Sequence, residues 1–362
     1  MTCETWVAPA VERLDSMVDD GLYAVGAQLW VSHQGRVACD MALGDAVDGL
    51  MAPVTVHNNY CLGKPIMALA IGRLVADGLL DPTAPLAGLG LPDWAVPPFA
   101  CSVLDVLDHQ VGLDTLAAME YRVTPAVVRP QLVSERIAAA VRRPAYSEIL
   151  GGLILEEVIR ACTGCGSVAA EVTRTVLEPL EATTIALDGE QARPLATAGL
   201  VSVPFGGLPD RRVPLLFELL DHSLADLRPA FGLLCSARDM GRVVEGVRRS
   251  LVPGAAEPVL PLDVLAMLLT VRHPPFDDAR AMRRVEVTGG FMVDATVNSL
   301  ARLASPHSFG HNAGMAQAVT FADIDHELTI SLYLNGAEVG ESSATLDRLA
   351  LVDEVYRGLG VR

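Results

Sequence analysis

Lysine is nearly missing from this chain. Of 27 basic residues in 362, 26 are arginine and one, Lys64, is lysine. Basic runs are missing too, and a formal net charge of -17 repels phosphate backbones and anionic lipid, which argues against a nucleic-acid partner. No apolar run approaches the ~20 residues of a membrane span, so no membrane association is expected. The start, Met1-Thr2-Cys3-Glu4-Thr5-Trp6, has neither a positive n-region nor an apolar stretch, so no secretory signal is expected. Seven cysteines, an odd number scattered along the chain, suggest reduced thiols in a cytoplasm rather than a disulfide framework. Internal repeats, low-complexity tracts and phosphate-binding glycine loops are also lacking.

Metal sites are equally thin. Cys162-Thr163-Gly164-Cys165 has redox or zinc spacing but no second cysteine pair, and falls at an expected helix end. His307 and His311 are four apart, yet Pro306 and Gly310 argue against a helix that would align them. Neither metal nor cofactor is expected. Glu156-Glu157 and Asp277-Asp278 read as solvated faces.

What is present is ample apolar content, 51% of residues, enough for a large core. A helix is predicted over 11–19, strands over 24–32 and 36–43, and a helix over 65–79 that is apolar around most of its circumference and therefore buried. An irregular Pro- and Gly-rich connection spans 81–98. Helices follow near 102–107, 133–141 and 149–162, then a loop over 204–214 and helices near 215–227 and 236–249. Strand character returns at 287–293, 316–321 and 328–333, before an amphipathic helix over 342–358 with Ser342 or Ser343 as its cap. Strands at both ends and helices between imply that the ends pair into one sheet. The division is an α/β subdomain from 1–80 and 280–362, with 81–279 as an inserted, mainly helical subdomain.

The lone lysine sits in Cys61-Leu62-Gly63-Lys64-Pro65. Arginine stays protonated, whereas a buried lysine can give up its proton near neutral pH. With Cys61 at the helix cap, Lys64 lies three residues on, on the same face. The helix N-terminus and the ammonium together favour a thiolate over a thiol. Without Lys64, the same residues read as a buried cysteine at an ordinary helix start.

These residues, with Gly78-Leu79-Leu80-Asp81 after the helix, resemble the Ser-x-x-Lys region of class C β-lactamase-like serine hydrolases. That family includes DD-peptidases, esterases, D-amino-acid amidases and acyltransferases. Four further segments fit in order: Leu107-Asp108-His109-Gln110-Val111-Gly112-Leu113, Pro144-Ala145-Tyr146-Ser147-Glu148, Gly232-Leu233-Leu234-Cys235-Ser236-Ala237-Arg238-Asp239, and Phe309-Gly310-His311-Asn312-Ala313-Gly314. The likeness covers nearly the whole chain. It implies an α+β fold of the β-lactamase/transpeptidase type, an antiparallel sheet flanked by helices with an inserted α subdomain.

It also implies roles. Cys61 attacks an acyl carbon, Lys64 holds the proton balance, Tyr146 shuttles a proton to the leaving group, and His311 orients the substrate. Asn312 contacts the substrate, Glu148 binds a cationic substrate group or stabilises protonated Lys64, and the amides of Cys61 and Gly314 receive the oxyanion. His109 is expected to be a structural hydrogen-bonder. Three positions depart from the family pattern: Cys61 stands where serine is usual, Glu148 where asparagine is, and Ala313 where glycine is. The cysteine favours acyl transfer or thioester chemistry over β-lactam hydrolysis. The substrate expected is a small-molecule, peptidyl or acyl thioester, free or carrier-protein bound, in natural-product biosynthesis. An esterase or amidase that tolerates Cys61, and a non-catalytic ligand binder, are the other two readings.

Overall fold

A computed structural model describes residues 2–20, 25–46, 49–113, 130–147, 149–202, 205–206, 213–214, 227–230, 232–278, 283–313, 318–335 and 341–362. Its largest feature is an antiparallel sheet, nine strands among the described residues, built from the two ends of the chain. In spatial order the strands are Thr2–Cys3, Arg36–Ala46, Gly26–His33, Leu328–Leu334, Ala318–Asp323, Ser308–Asn312, Phe291–Val293 and Val287–Thr288, with Gly49–Leu50 pairing beside Ala46. The first and last thirds of the chain meet where Gly26–His33 pairs with Leu328–Leu334, Val31 opposite Ile330 and Leu29 opposite Leu332.

Helices cover both faces, so the central strands are buried on both sides. On one face Leu29, Val31, Ile330 and Leu332 pack with Leu14 of the helix Ala8–Asp19 and Val352 and Val355 of the helix Glu341–Gly358. The alternating Thr329 and Ser331 are not solvated, as a half-buried strand would have them. Thr329 Oγ1 donates to Glu245 Oε2 at 2.7 Å and Ser331 shares a 2.8 Å bond with Thr320. Buried hydroxyls are thus matched by partners. Glu245 lies on the helix Ala237–Ser250, which seats Gly241 against the Trp30 ring so closely that a side chain would strike it at 2.3 Å.

Two sequence expectations are corrected. The single strand over 287–293 is a tight hairpin, Val287–Thr288 and Phe291–Val293, turned by Gly289 and Gly290 at φ +51° and +82°. Positive φ is the conformation glycine adopts without steric cost. The cysteines are not all reduced: Cys3 and Cys39 are register partners on adjacent strands, Cα–Cα 4.1 Å, and form a disulfide that ties the edge strand to its neighbour. Sequence spacing does not reveal such a pair, because strand register brings it together. Of the helix expected near 215–227, all but Leu227 lies outside the described residues.

The helix Gly63–Ala76 sits at the centre of the second core. Its residues from Gly63 to Ile71 are buried without interruption, as an all-round apolar helix requires. It packs against the helices Leu150–Thr163 and Leu262–Leu269 and reaches the sheet near Val293 and Phe309. Its N-terminus therefore opens where the sheet and the helical layer meet. Among the described residues no helix is long and apolar enough to cross a membrane.

Candidate active site

The approach to the central helix is a short strand, Val56–Asn58, held between Val201–Ser202 and Leu234–Cys235. Asn59 then anchors the chain. Its buried side-chain amide donates to the carbonyls of His57 at 3.1 Å and Cys235 at 3.0 Å, and contacts Cys235 Sγ at 2.9 Å. Tyr60 follows at φ +40°, a left-handed conformation that a bulky residue adopts only when its surroundings enforce it. Here Tyr60 N–H donates to Asn58 Oδ1 at 2.9 Å, and Tyr60 C=O accepts from Gly232 N–H at 3.2 Å. Cys61 comes next, on the 3₁₀ turn Tyr60–Leu62, and is 8% exposed.

Gly63, between Cys61 and Lys64, has a close neighbour. A methyl group there would lie 2.0 Å from the Pro229 carbonyl oxygen and 2.8 Å from Leu233. Pro229 belongs to a strap, Leu227–Ala230, whose Ala230 presses on Gly152 of the helix Leu150–Thr163. The turn carrying Cys61 is thus clamped by the backbone of the strap as well as by side chains.

Lys64 is 6% exposed, and its Nζ stands 5.0 Å from the centre of the Tyr146 ring, within cation–π range. Tyr146 arrives from the connection before the helix Leu150–Thr163. Its hydroxyl lies 3.2 Å from Nε2 of His311, which is fully buried on the strand Ser308–Asn312. The backbone of Asn312 serves either tautomer of that imidazole. Its carbonyl lies 2.8 Å from Nδ1 and can accept a proton-bearing Nδ1, while its amide, at 3.0 Å, can donate to a bare one. A proton can therefore reside on either side of the Tyr146–His311 contact without orphaning Nδ1. The central helix, a loop and the sheet each supply one of Lys64, Tyr146 and His311. Asn312 is half-buried at the end of its strand. Glu148 and Gly314 lie outside the described residues.

Several supporting residues escaped the sequence reading. Asp278 is not solvated: it is 6% exposed, and its Oδ2 accepts the Tyr146 N–H at 2.8 Å. It lies on Phe276–Asp278, paired with Arg283–Val285, where alternation turns Asp278 inward and Asp277 outward. Glu156 is likewise buried, at 3% exposure, one helical turn from Gly152 beside the strap. Asp108 accepts from Nε and Nη2 of Arg272, at 2.7 and 2.6 Å, and from the Gly289 N–H at 2.7 Å. That fixes His109 next to the glycine hairpin. A small cavity of ≈ 20 Å³ lies beside Lys64, lined by His109, Ser147, Gly151, Gly152, Ala230 and Gly290 among others. It has room for about one water molecule.

Burial disfavours the thiolate at three other cysteines, Cys101, Cys162 and Cys235. Burial pushes Cys101 up to about 11, with the Asp105 charge adding to it. Burial also raises Cys162 and, far more strongly, Cys235. Cys162 and Cys165 are free and half-buried, and no group of three or more candidate metal ligands occurs among the described residues.

The β-lactamase family model matches residues 14–353. No curated protein matches the chain by sequence. Among solved structures it resembles a penicillin-binding protein homologue from Caulobacter crescentus, at 18% identity and TM-score 0.76 over 99% of both chains. It also resembles a family VIII carboxylesterase, at 18% identity and TM-score 0.75 over 99% of both chains. A third is EstCE1, described as a hydrolase with promiscuous acyltransferase activity, at 17% identity and TM-score 0.76 over 97% of this chain and 98% of that one. At such identities the likeness establishes the fold, and the family match nearly end to end establishes descent: this chain belongs to the β-lactamase family.

Proposed function

We propose that the protein is a cysteine-dependent acyl-enzyme catalyst, a transferase or hydrolase acting on an amide, ester or thioester. What supports the reading is the meeting of Tyr146 with both Lys64 and His311 beside a strained turn that carries Cys61. Sulfur attacks the acyl carbon as the thiolate, a C–S bond forms, and the bond to the leaving group breaks. The leaving group takes the Tyr146 proton, and His311 with the Lys64 charge steadies the phenolate that remains. The acceptor, an amine, thiol, alcohol or water, then attacks the thioester and returns a proton to Tyr146. Every proton passes through one phenol, acting as acid and then as base.

Sulfur at position 61 favours transfer. A thioester reacts more readily with amines and thiols than an ester does, so the intermediate suits an acceptor other than water. In this reading Glu148 recognises a cationic substrate group, Asn312 contacts the substrate, and the amides of Cys61 and Gly314 hold the oxyanion. EstCE1, a fold neighbour, is described as combining hydrolysis with acyl transfer. A biosynthetic step on a free or carrier-bound acyl group fits this chemistry.

The test compares Cys61→Ser with wild type on matched ester and thioester donors, with and without an amine acceptor. Loss of most transfer in Cys61→Ser is expected. Retained or improved ester hydrolysis with no loss of transfer would instead mark an esterase in which the sulfur is incidental.

A further inference from the structure

We propose that His109 is the positioning residue for Tyr146, holding the phenol by ring stacking and by fixing the backbone on both sides of it. This rests on the role given to Tyr146 above. The two rings stack with centroids 4.6 Å apart and planes 27° apart. Three successive amides hang from two residues. Ala145 N–H donates to the His109 carbonyl at 2.9 Å, Tyr146 N–H to Asp278 at 2.8 Å, and Ser147 N–H to His109 Nδ1 at 2.8 Å. His109 therefore grips residues 145 and 147 and lies against the ring of the residue between.

The grip has a rigid base. His109 takes φ +57°, and its neighbours are pinned to the glycine hairpin, Leu107 C=O by Gly290 N–H at 3.1 Å and Asp108 by Gly289 and Arg272. The hairpin is part of the same sheet that carries His311. His109 is thus the link that sets the Tyr146 hydroxyl at its 3.2 Å spacing from His311.

Its tautomer follows from the same geometry. A backbone N–H pointed at Nδ1 requires that nitrogen to be bare, so a neutral His109 carries its proton on Nε2. Protonating Nδ1 would set two donors against each other. Burial first, then the charges of Lys64 and His311, lower the basicity of His109 well below the ordinary histidine range. A neutral ring adds no further cation beside Lys64 and the phenol.

Two variants separate the two holds. His109→Asn keeps an acceptor for Ser147 N–H and removes the ring, whereas His109→Phe keeps a ring and removes the acceptor. Tyr146 is followed by ultraviolet difference titration against Tyr146→Phe, a readout that needs no turnover and so survives a failure of the catalytic reading. A displaced Tyr146 titration in folded His109→Asn is expected, with kcat for thioester turnover down about 10- to 100-fold and KM little changed. An unchanged Tyr146 titration and unchanged kcat in folded protein would overturn the proposal. Should both variants fail to fold, imidazole ¹⁵N spectra of the wild type decide. A His109 with bare Nδ1 and protonated Nε2 throughout about pH 5–8 supports the grip, and one that titrates in that range overturns it.

Discussion

Gly63 and Pro229 touch backbone to backbone, so closely that a methyl group on Gly63 would stand 2.0 Å from the Pro229 carbonyl oxygen. A glycine between the predicted nucleophile and its lysine is there because another segment lies against it. Neither partner can yield cheaply, since Gly63 begins a buried helix and Ala230, next to Pro229, is wedged on Gly152. Gly63→Ala should cost about 1–3 kcal/mol by overpacking. It should also change the rate at which Cys61 is alkylated, read by peptide mass. Denaturation at wild-type midpoint with wild-type labelling would show that the strap gives way freely.

Tyr146 separates chemistry from stability. Its hydroxyl meets His311 Nε2, while its ring and amide are held independently by His109 and Asp278. Tyr146→Phe should keep the fold within ~1 kcal/mol and slow acyl transfer about 10²- to 10⁴-fold. Rates and urea midpoints on the same preparation check both halves. Unimpaired turnover would remove Tyr146 from the proton path.

Glu156 should make stability fall as pH rises. Burial pushes its carboxyl up to about 7 from an ordinary 4.5, against the pull of Arg228 and Arg160. Its Oε1 has no hydrogen-bond partner among the described residues. Between those two pH values the native state holds more protons than the unfolded chain. Ionisation through that window therefore removes stability, about 3 kcal/mol when complete. Glu156→Gln should abolish that component of the slope in denaturation measured from pH 5 to 8. A slope identical to wild type would show that Glu156 is ionised at little cost.

Asp323 should act with the opposite sign. It is buried between strand and helix, which alone would raise its carboxyl. Bonds from Ser305 N–H and Oγ, His326 and the Tyr356 hydroxyl outweigh the burial and hold it below the usual range. Stability from this group is fully present above the unfolded carboxylate range and is lost as pH falls through the lower native value. Asp323→Asn turns an amide toward those donors and should cost about 2–4 kcal/mol at neutral pH, a loss that shrinks in acid. Equal losses at pH 7 and 3 would contradict the assignment.

Local pattern carried much of the fold into the sequence. The apolar circumference of Ile66, Leu69, Ile71 and Leu74 marks a buried helix, and Leu328, Ile330 and Leu332 mark a strand that pairs with Gly26–His33 on one side and Ala318–Asp323 on the other. Motif spacing singled out Lys64, Tyr146 and His311, three residues from distant segments that the fold brings into contact around the Tyr146 ring and hydroxyl. What was not legible depends on contacts between distant residues. Asp278 looks like surface charge until strand alternation and Tyr146 N–H turn it inward. Glu156 looks solvated until a strap some seventy residues later covers it. The Cys3–Cys39 bond exists only in the register of two adjacent strands. His109 was legible as a hydrogen-bonder, but its stacking on Tyr146 required the fold.

The most direct measurement is the mass of the intact protein after a brief incubation with an acyl thioester, followed by peptide mapping. A single acyl adduct on the peptide carrying Cys61, abolished in Cys61→Ala and longer-lived in Tyr146→Phe, is the predicted result. No adduct on the wild type, or the same adduct on Cys61→Ala, would contradict a covalent role for this sulfur.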